Sequence, residues 1–268
     1  MQIGFYIILF IIGACIGSFL CCQARRLHLK ATAKKGTGSL GSRSVCLHCH
    51  YQLSWYDNIP IVSWLFLRGK CRKCHHQIGI GELLAELGVA LAFLGLGFTI
   101  AISSASILEW SIFLSTFVLT AVLAFLAIYD GLYGELPMRY LVLAICISIV
   151  VLTLKESLIL QASPFSAECI YYPLLSVLIL GGLYLILYTV SHGAWVGDGD
   201  WLLATAIGLA IFHPWYALGI LFLSNFLALI VMFPYVKKSH QHRIYFGPFL
   251  VIAFVVVIAL ADLVIDII

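Results

Sequence analysis

Four of the nine cysteines are spaced to bind a metal ion. Cys46 and Cys49 form one Cys-x-x-Cys pair, and Cys71 and Cys74 form a second pair further along the chain. Each pair brings two thiolates to one corner, and two pairs complete the four sulfur ligands of a tetrahedral structural zinc site. The other cysteines lie in or beside apolar segments, where a free cysteine behaves as a small hydrophobic residue. We therefore predict a structural zinc ion held by the four paired cysteines.

Two other interpretations of the pairs stay open at this stage. The thiols could be unliganded or redox-active, and a flanking histidine could replace one cysteine as a ligand. The flanking histidines are more simply explained as solvated surface residues. They are His48, His50, His75 and His76.

Two aspartates stand where long apolar segments meet polar ones. Asp130 ends one apolar run, and Asp200 opens another within the sequence Gly197-Asp198-Gly199-Asp200. An acid at the edge of a membrane span can be a simple boundary residue, but intramembrane acids are functional-site hypotheses by default. Two carboxylates close together in a low-dielectric site share a proton, so that one can activate water while the other protonates a carbonyl. We predict Asp130 and Asp200 as such a catalytic pair.

The loop before Asp200 contains three further residues that bear on this site. Gly197 and Gly199 let the backbone turn sharply and let a substrate approach closely. Asp198 lies in the same loop and could compete with Asp200 for the catalytic role. The apolar helix that begins directly after Asp200 favours Asp200.

The composition indicates which elements must position these residues. Hydrophobic residues make up 63% of the chain and charged residues 10%, with a mean hydropathy of +1.08. A soluble domain carries roughly a quarter charged residues, and a membrane helix needs about 20 mostly apolar ones. Eight stretches qualify, at roughly 3–22, 81–101, 110–128, 139–154, 170–190, 201–212, 215–235 and 247–267. We predict an all-α polytopic membrane protein with about eight transmembrane helices and a small cytoplasmic zinc-binding loop domain.

One long polar segment divides the chain into three parts. We predict a first transmembrane helix over 1–22, a tetracysteine loop domain over 23–80, and a membrane domain of about seven helices over 81–268. Within the loop, the basic stretch with Gly and Ser from Lys34 to Ser44 is typical of a flexible linker.

The basic residues predict the orientation. Most of the fifteen Lys and Arg residues lie between Arg25 and Lys73, and the positive-inside rule places such a segment in the cytoplasm. The N-terminus is then outside, and Asp130 and Asp200 lie at the cytoplasmic ends of their helices. Disulfides are rare in the reducing cytosol, which favours metal binding by the cysteines. The net charge of +3 is therefore a topology signal and does not indicate a nucleic-acid partner.

Several motifs together resemble one family nearly from end to end: the type IV prepilin peptidases, which are membrane aspartic proteases of the GxGD type. The matching segments are Gly17-Ser18-Phe19-Leu20, Trp55-Tyr56-Asp57-Asn58-Ile59-Pro60, Arg68-Gly69-Lys70-Cys71, Asp130 with Leu136-Pro137, Gly197-x-Gly199-Asp200, and Phe246-Gly247-Pro248-Phe249.

The resemblance implies a bacterial inner-membrane enzyme that cleaves the basic leader of type IV prepilins or pseudopilins at the cytoplasmic face. Many members also N-methylate the new N-terminus with S-adenosylmethionine. By position, Asp130 and Asp200 become the catalytic pair, and the four paired cysteines become the zinc ligands. The expected partners are prepilin or pseudopilin precursors and the lipid bilayer, with no nucleic acid.

The chain departs from the family pattern at three positions. Cys21 stands where the family often has Asn, Met138 where an acid is common, and Leu202 where a Lys is common. Cys21 lies in the half that the family ties to methylation, so methylation is an expectation separate from cleavage.

Three other functions would use the same residues differently. A multi-span transporter or ion-conducting protein also carries intramembrane acids, but it predicts an inverted repeat with broken helices, which is not apparent. If the chain were a zinc-ribbon membrane scaffold without catalysis, Asp130→Asn and Asp200→Asn would have no effect on function. A third alternative is a GxGD protease that acts on other membrane substrates, such as signal peptides or archaeal preflagellins. The N-terminal cysteine module argues instead for the bacterial prepilin peptidases.

Overall fold

Helices account for most of the described chain. The computed structural model describes residues 2–32, 44–46, 48–99, 105–162, 168–193, 196–238 and 245–265. Within these ranges β-structure is limited to two isolated antiparallel bridges, Val45–Gln52 and Lys70–Gln77. The all-α prediction is confirmed. The helices are α1 (Gln2–Thr32), α2 (Val62–Phe66), α3 (Ile80–Gly97), α4 (Ile107–Tyr133), α5 (Met138–Ala162), α6 (Glu168–Val177), α7 (Leu183–Ser191), α8 (Asp200–Ala210), α9 (Pro214–Lys238) and α10 (Gly247–Ile265), with a 3₁₀ turn at Trp55–Asn58 and a π-helical segment at Leu178–Gly182.

Six helical spans in the described ranges are long and apolar enough to cross a membrane. They are Ile3–Thr32, Ile80–Gly97, Ile107–Tyr133, Met138–Leu160, Ile170–Ser191 and Pro214–Val231. The other two apolar stretches predicted from the sequence are also helical, but α8 and the described apolar part of α10 are shorter. The polytopic membrane architecture is confirmed, with six spans of full length rather than eight.

The N-terminal unit, Met1–Leu94, is built on a close crossing of α1 and α3. A Cβ added at Gly13 would lie 2.7 Å from the Cα of Ala90, and one added at Gly17 would lie 2.8 Å from the Cα of Glu86. Small residues four apart let two membrane helices approach at backbone distance. Helix packing therefore depends on these two glycines.

Helix α1 is longer than the sequence indicated. It continues past the predicted end at residue 22 to Thr32, into the segment predicted as loop domain. Most of the predicted linker lies outside the described residues. The division at residues 22 and 80 stays a prediction.

The C-terminal unit, Gly95–Ile268, has the short helix α8 inside it. Helix α8 packs against α5, α6, α7, α10 and the π-helical segment. Its residues Leu203, Ala204 and Ile207 are fully buried, together with Leu119 and Leu123 of α4. Because protein surrounds α8 on several sides, it does not need the length of a bilayer-spanning helix.

The carboxyl end of α8 is closed by a basic side chain from α5. The Nζ of Lys155 donates to the carbonyl oxygen of Ala210 at 2.8 Å. The last carbonyls of a helix have no hydrogen-bond donor within the helix and carry partial negative charge. The Lys155 ammonium group supplies a donor and also offsets that charge.

The π-helical segment Leu178–Gly182 separates α6 from α7 within one continuous span. A side chain at Gly181 would collide with Thr205 of α8, so the segment passes α8 at close range. Just after it, Tyr184 is buried, and its hydroxyl accepts a hydrogen bond from Asn225 Nδ2 at 3.2 Å.

The α1–α3 crossing gives the first testable prediction. Gly13→Leu should lower the free energy of unfolding in detergent by roughly 1–3 kcal/mol, because overpacking forces backbone shifts. Gly4→Leu is the matched control on the same helix, since a Cβ there meets nothing within 4 Å. Denaturant titration followed by circular dichroism measures both, and equal unfolding curves for the two variants would contradict the prediction.

Candidate metal centre and carboxylate site

The two cysteine pairs lie on equivalent backbone turns. In the first, the N–H of Cys46 donates to the carbonyl of Tyr51 at 2.9 Å; in the second, the N–H of Cys71 donates to the carbonyl of His76 at 2.9 Å. One of the two isolated β-bridges accompanies each turn. These repeated turns are the knuckles that direct two sulfurs each toward a common point.

The four sulfurs form a compact cluster. The Sγ atoms of Cys46 and Cys74 are 3.9 Å apart, those of Cys49 and Cys71 are 4.0 Å apart, and all four lie within 4.8 Å of one another. Tetrahedral zinc with Zn–S bonds of about 2.3 Å needs sulfurs about 3.8 Å apart. The cysteine set therefore fits a zinc ion.

Backbone groups favour the metal-binding form of one ligand. The N–H groups of Cys74 and Lys73 direct hydrogen bonds to the Cys71 sulfur and lower the pKa of its thiol to about 7. The thiolate is the form that ligates metal.

The flanking histidines lie at the surface, as the simpler sequence interpretation predicted. The rings of His48 and His76 stack with their centroids 4.4 Å apart. All four histidines are exposed, and the cluster of potential ligands contains only cysteines.

An ion pair between the exposed Arg72 and the buried Asp57 ties the segment between the knuckles to the second knuckle. Arg72 Nε lies 2.8 Å from Asp57 Oδ1, while Asp57 Oδ2 accepts from the N–H of Ser54 at 3.2 Å. The Arg72 guanidinium also lies 4.9 Å from the centre of the Tyr56 ring. These contacts fix the 3₁₀ turn of the Trp55–Pro60 motif.

Asp130 is buried near the carboxyl end of α4. Its side chain is 5% exposed, and its Oδ2 accepts a hydrogen bond from the N–H of Gly247 at 2.9 Å. A Cβ added at Gly247 would lie 2.8 Å from that oxygen. The start of α10 therefore approaches Asp130 closely only because residue 247 has no side chain.

Asp200 is buried at the amino end of α8. It is 6% exposed, and its Oδ2 accepts from the N–H of Gly197 at 3.0 Å. A Cβ added at Gly199 would lie 2.7 Å from Leu136 Cδ1, so the second glycine of the motif allows close packing with the loop after α4.

The two buried carboxylates belong to one site. Asp130 and Asp200 lie near enough for their charges to interact. Asp198, in contrast, is exposed and is hydrogen-bonded to Tyr188. The structure thus brings together the two aspartates predicted as a pair, and it leaves Asp198 outside the buried site.

Sequence reasoning did not identify two parts of this site. Gly247 contributes its backbone N–H, and the only feature of the sequence that pointed to this residue was the Phe-Gly-Pro-Phe motif. Tyr184 has an electrostatic interaction with Asp200, and its ring lies 5.2 Å from that of Phe246. No spacing rule links residues so far apart in the chain.

The metal centre yields a prediction of its own. The purified chain should contain about one zinc ion, and Cys71→Ser should weaken zinc binding by at least about tenfold, since a hydroxyl is a poorer zinc ligand. Elemental analysis after dialysis measures the content. Cys146→Ser is the control, because Cys146 is an exposed thiol of α5 outside the cluster. A purified chain that contains no zinc, or an equal loss of zinc from the Cys71→Ser and Cys146→Ser variants, would refute the assignment.

Comparison with known proteins gives matches over both halves of the chain. Residues 11–100 match the family described as the Bacterial Peptidase A24 N-terminal domain. The Prepilin leader peptidase/N-methyltransferase of Myxococcus xanthus is 39% identical over 89 residues, which is 33% of this chain and 25% of that protein. The protein of the same name from Vibrio cholerae is 39% identical over 31% of this chain and 34% of its own length.

Longer matches exist at lower identity. The Prepilin leader peptidase/N-methyltransferase of Aeromonas hydrophila is 28% identical over 79% of this chain and 69% of its own length. The protein of that name from Klebsiella pneumoniae is 29% identical over 75% of this chain and 82% of its own length. No solved structure matches the chain significantly. The chain is thus similar to prepilin leader peptidase/N-methyltransferases over most of its length, although its matches to the Myxococcus xanthus and Vibrio cholerae proteins span only about a third or less of those relatives.

Proposed function

We propose that this chain is an aspartic endopeptidase of the bacterial inner membrane that removes the leader of type IV prepilins or pseudopilins. The observation that carries the proposal is the buried pair Asp130 and Asp200, held on separate helices by single backbone N–H groups. Buried acids without a basic partner are costly, and they mark functional sites.

The positions of the two aspartates at helix ends indicate which of them carries the shared proton. Asp200 is the first residue of α8, where partial positive charge favours a carboxylate, whereas Asp130 lies in the last turn of α4, where partial negative charge disfavours one. Asp200 therefore holds the charge and Asp130 holds the shared proton.

Peptide hydrolysis follows from that arrangement. Asp200 accepts a proton from water, the hydroxide attacks the scissile carbonyl carbon, and Asp130 gives its proton to the carbonyl oxygen. The tetrahedral intermediate, a gem-diol, collapses with breakage of the C–N bond. The leaving amine takes the proton held by Asp200, and one hydroxyl of the gem-diol returns its proton to Asp130, which leaves a carboxylic acid product and restores both aspartates. The backbone N–H groups of Gly197 and Gly247 keep both carboxylates oriented during this exchange.

The substrate fits this site by its two-part chemistry. The apolar helix of a prepilin enters laterally between spans of the membrane, while its basic leader stays in the cytosol. Our proposed orientation, with the cysteine module and both aspartates on the cytoplasmic side, brings the scissile bond to the pair. Within this scheme the zinc ion, held by Cys46, Cys49, Cys71 and Cys74, has a structural role.

A cavity in the N-terminal unit favours the second activity in the relatives' name. It has a volume of about 360 Å³ beside the second knuckle. Its lining includes the acids Asp57, Glu82 and Glu86, of which Asp57 pairs with Arg72 and Glu82 with Arg25, two basic residues that also line it. The indole N–H of Trp64, which also lines it, is buried without a hydrogen-bond acceptor. Carboxylates suit ribose hydroxyls and a sulfonium cation, so we place the S-adenosylmethionine of an N-methyltransferase reaction here.

The ion-conducting alternative is weaker. It requires broken helices at midplane, with half-helix ends facing a substrate. The break at Leu178–Gly182 is a π-helical segment packed tightly against α8. The acids instead form one buried pair.

Replacement of either acid tests the proposal directly. Asp130→Asn and Asp200→Asn should each lower the rate of prepilin cleavage by roughly 10²–10⁴-fold, the usual contribution of a general acid or base. Cleavage in detergent is followed by mass spectrometry, and the mass of the new N-terminus reports methylation separately. Asp198→Asn should keep wild-type cleavage. Full activity in either member of the pair would refute the assignment.

Gly247 gives a sharper test of carboxylate orientation. Gly247→Ala should reduce cleavage by roughly tenfold to a hundredfold, because it displaces the N–H group that holds Asp130. Gly131→Ala is the matched control beside Asp130, since its Cβ would make an ordinary 3.6 Å contact with Pro248. Equal rates for the two variants would show that this hydrogen bond does not matter.

A further inference from the structure

The segment from Trp55 to Phe66, here called the aromatic segment, exposes large apolar side chains. Trp55 is 79% exposed, Phe66 is 84% exposed and Leu65 is 57% exposed, and Val62 is also exposed. A soluble surface rarely presents so many large apolar groups within a few residues. Some other phase or partner must therefore cover them.

The middle of this segment is fastened to a membrane span. The N–H of Ile61 donates to Glu86 Oε2 at 2.6 Å. Glu86 lies in the second turn of α3, a candidate span that begins at Ile80, and is thus roughly 9 Å along the helix from its start. The backbone of Glu86 is also where Gly17 of the α1 span packs. The aromatic segment is therefore held beside the first two turns of the α3 span.

The apolar side chains are presented by a fixed backbone. A Cβ added at Gly69 would lie 2.7 Å from the Trp64 ring, and Gly69 has a φ of +66°. The turn after α2 therefore packs on the Trp64 ring, while Phe66 stays largely exposed. At the other end, the ion pair of Asp57 with Arg72 holds the turn that carries Trp55.

Basic side chains follow the exposed apolar ones directly. Arg68 and Lys70, just after Phe66, are both exposed. Aromatic residues beside lysine and arginine are typical of segments that lie in the interfacial zone of a bilayer, where anionic headgroups attract the cations. The hydrogen bond of Ile61 to Glu86 keeps these groups beside a candidate membrane span, where lipid is the adjacent phase.

We propose that the aromatic segment is an interfacial membrane anchor. Trp55, Leu65 and Phe66 insert among the lipid acyl chains near the headgroups, and Arg68 and Lys70 contact anionic phosphates of the same leaflet. The partner is an anionic lipid surface. The anchor holds the zinc module against the bilayer, which is a role separate from cleavage and methylation.

Depth-dependent quenching tests the anchor in the intact chain. The chain is placed in phosphatidylglycerol-containing nanodiscs with nitroxide-labelled phospholipids, and the Trp55 signal is the difference between wild type and Trp55→Phe. Nitroxides near the headgroup should quench this signal more than nitroxides near the chain end, and aqueous acrylamide should quench it weakly. Strong quenching by acrylamide with none by either lipid label would overturn the proposal.

Hydrogen exchange separates anionic lipid from other occupants. Exchange of residues 62–68 should be slower in phosphatidylglycerol than in phosphatidylcholine discs, and Arg68→Gln with Lys70→Gln should remove that difference. Lys30→Gln, a basic residue of α1 outside the segment, is the matched control and should keep it. Protection that appears only when a prepilin is added, with no lipid dependence, would instead identify a protein surface and refute the anchor.

Discussion

The C-terminal unit depends on placing a short helix with polar ends inside an apolar bundle. In a membrane interior every backbone group must find a partner within the protein. At the amino end of α8 the turn from Gly197 satisfies the Asp200 carboxylate, and at the carboxyl end Lys155 satisfies Ala210. The close approaches at Gly181, Gly199 and Gly208 follow, because only small residues let neighbours surround α8.

The N-terminal unit meets a different constraint. The segment between α1 and α3 has little apolar core, since among its described residues only Asp57, Gly69 and Cys71 are buried. The knuckles and the Asp57–Arg72 pair hold the conformation of this segment in place of an apolar core. Metal binding to such a module contributes directly to its folding free energy. Its exposed aromatic side chains are then available for contact outside the module.

Local sequence rules found the parts of the site that consist of side chains at short spacing. The Cys-x-x-Cys pairs predicted the sulfur cluster, and apolar runs ending at Asp130 and beginning at Asp200 indicated two of the buried acids, whereas nothing in the local sequence indicated that Asp57 is buried as well. Gly247 could not be found this way, because its contribution is a backbone N–H brought to Asp130 by tertiary packing. The short apolar stretch predicted at 201–212 did indicate a helix close to the length of α8, Asp200–Ala210, but not which helices surround it, since burial by neighbouring helices has no periodic signal of its own.

The π-helical segment at Leu178–Gly182 has a consequence for comparing this chain with homologues. A π turn is equivalent to one residue inserted into an α-helix, and removing it would rotate everything after it by about 100°. Tyr184 would then turn away from Phe246 and Asn225. If a homologue lacks one residue at this position in a sequence alignment, the side chains that pack beside the two carboxylates should therefore differ from those in this chain. A one-residue gap in a surface loop would carry no such information.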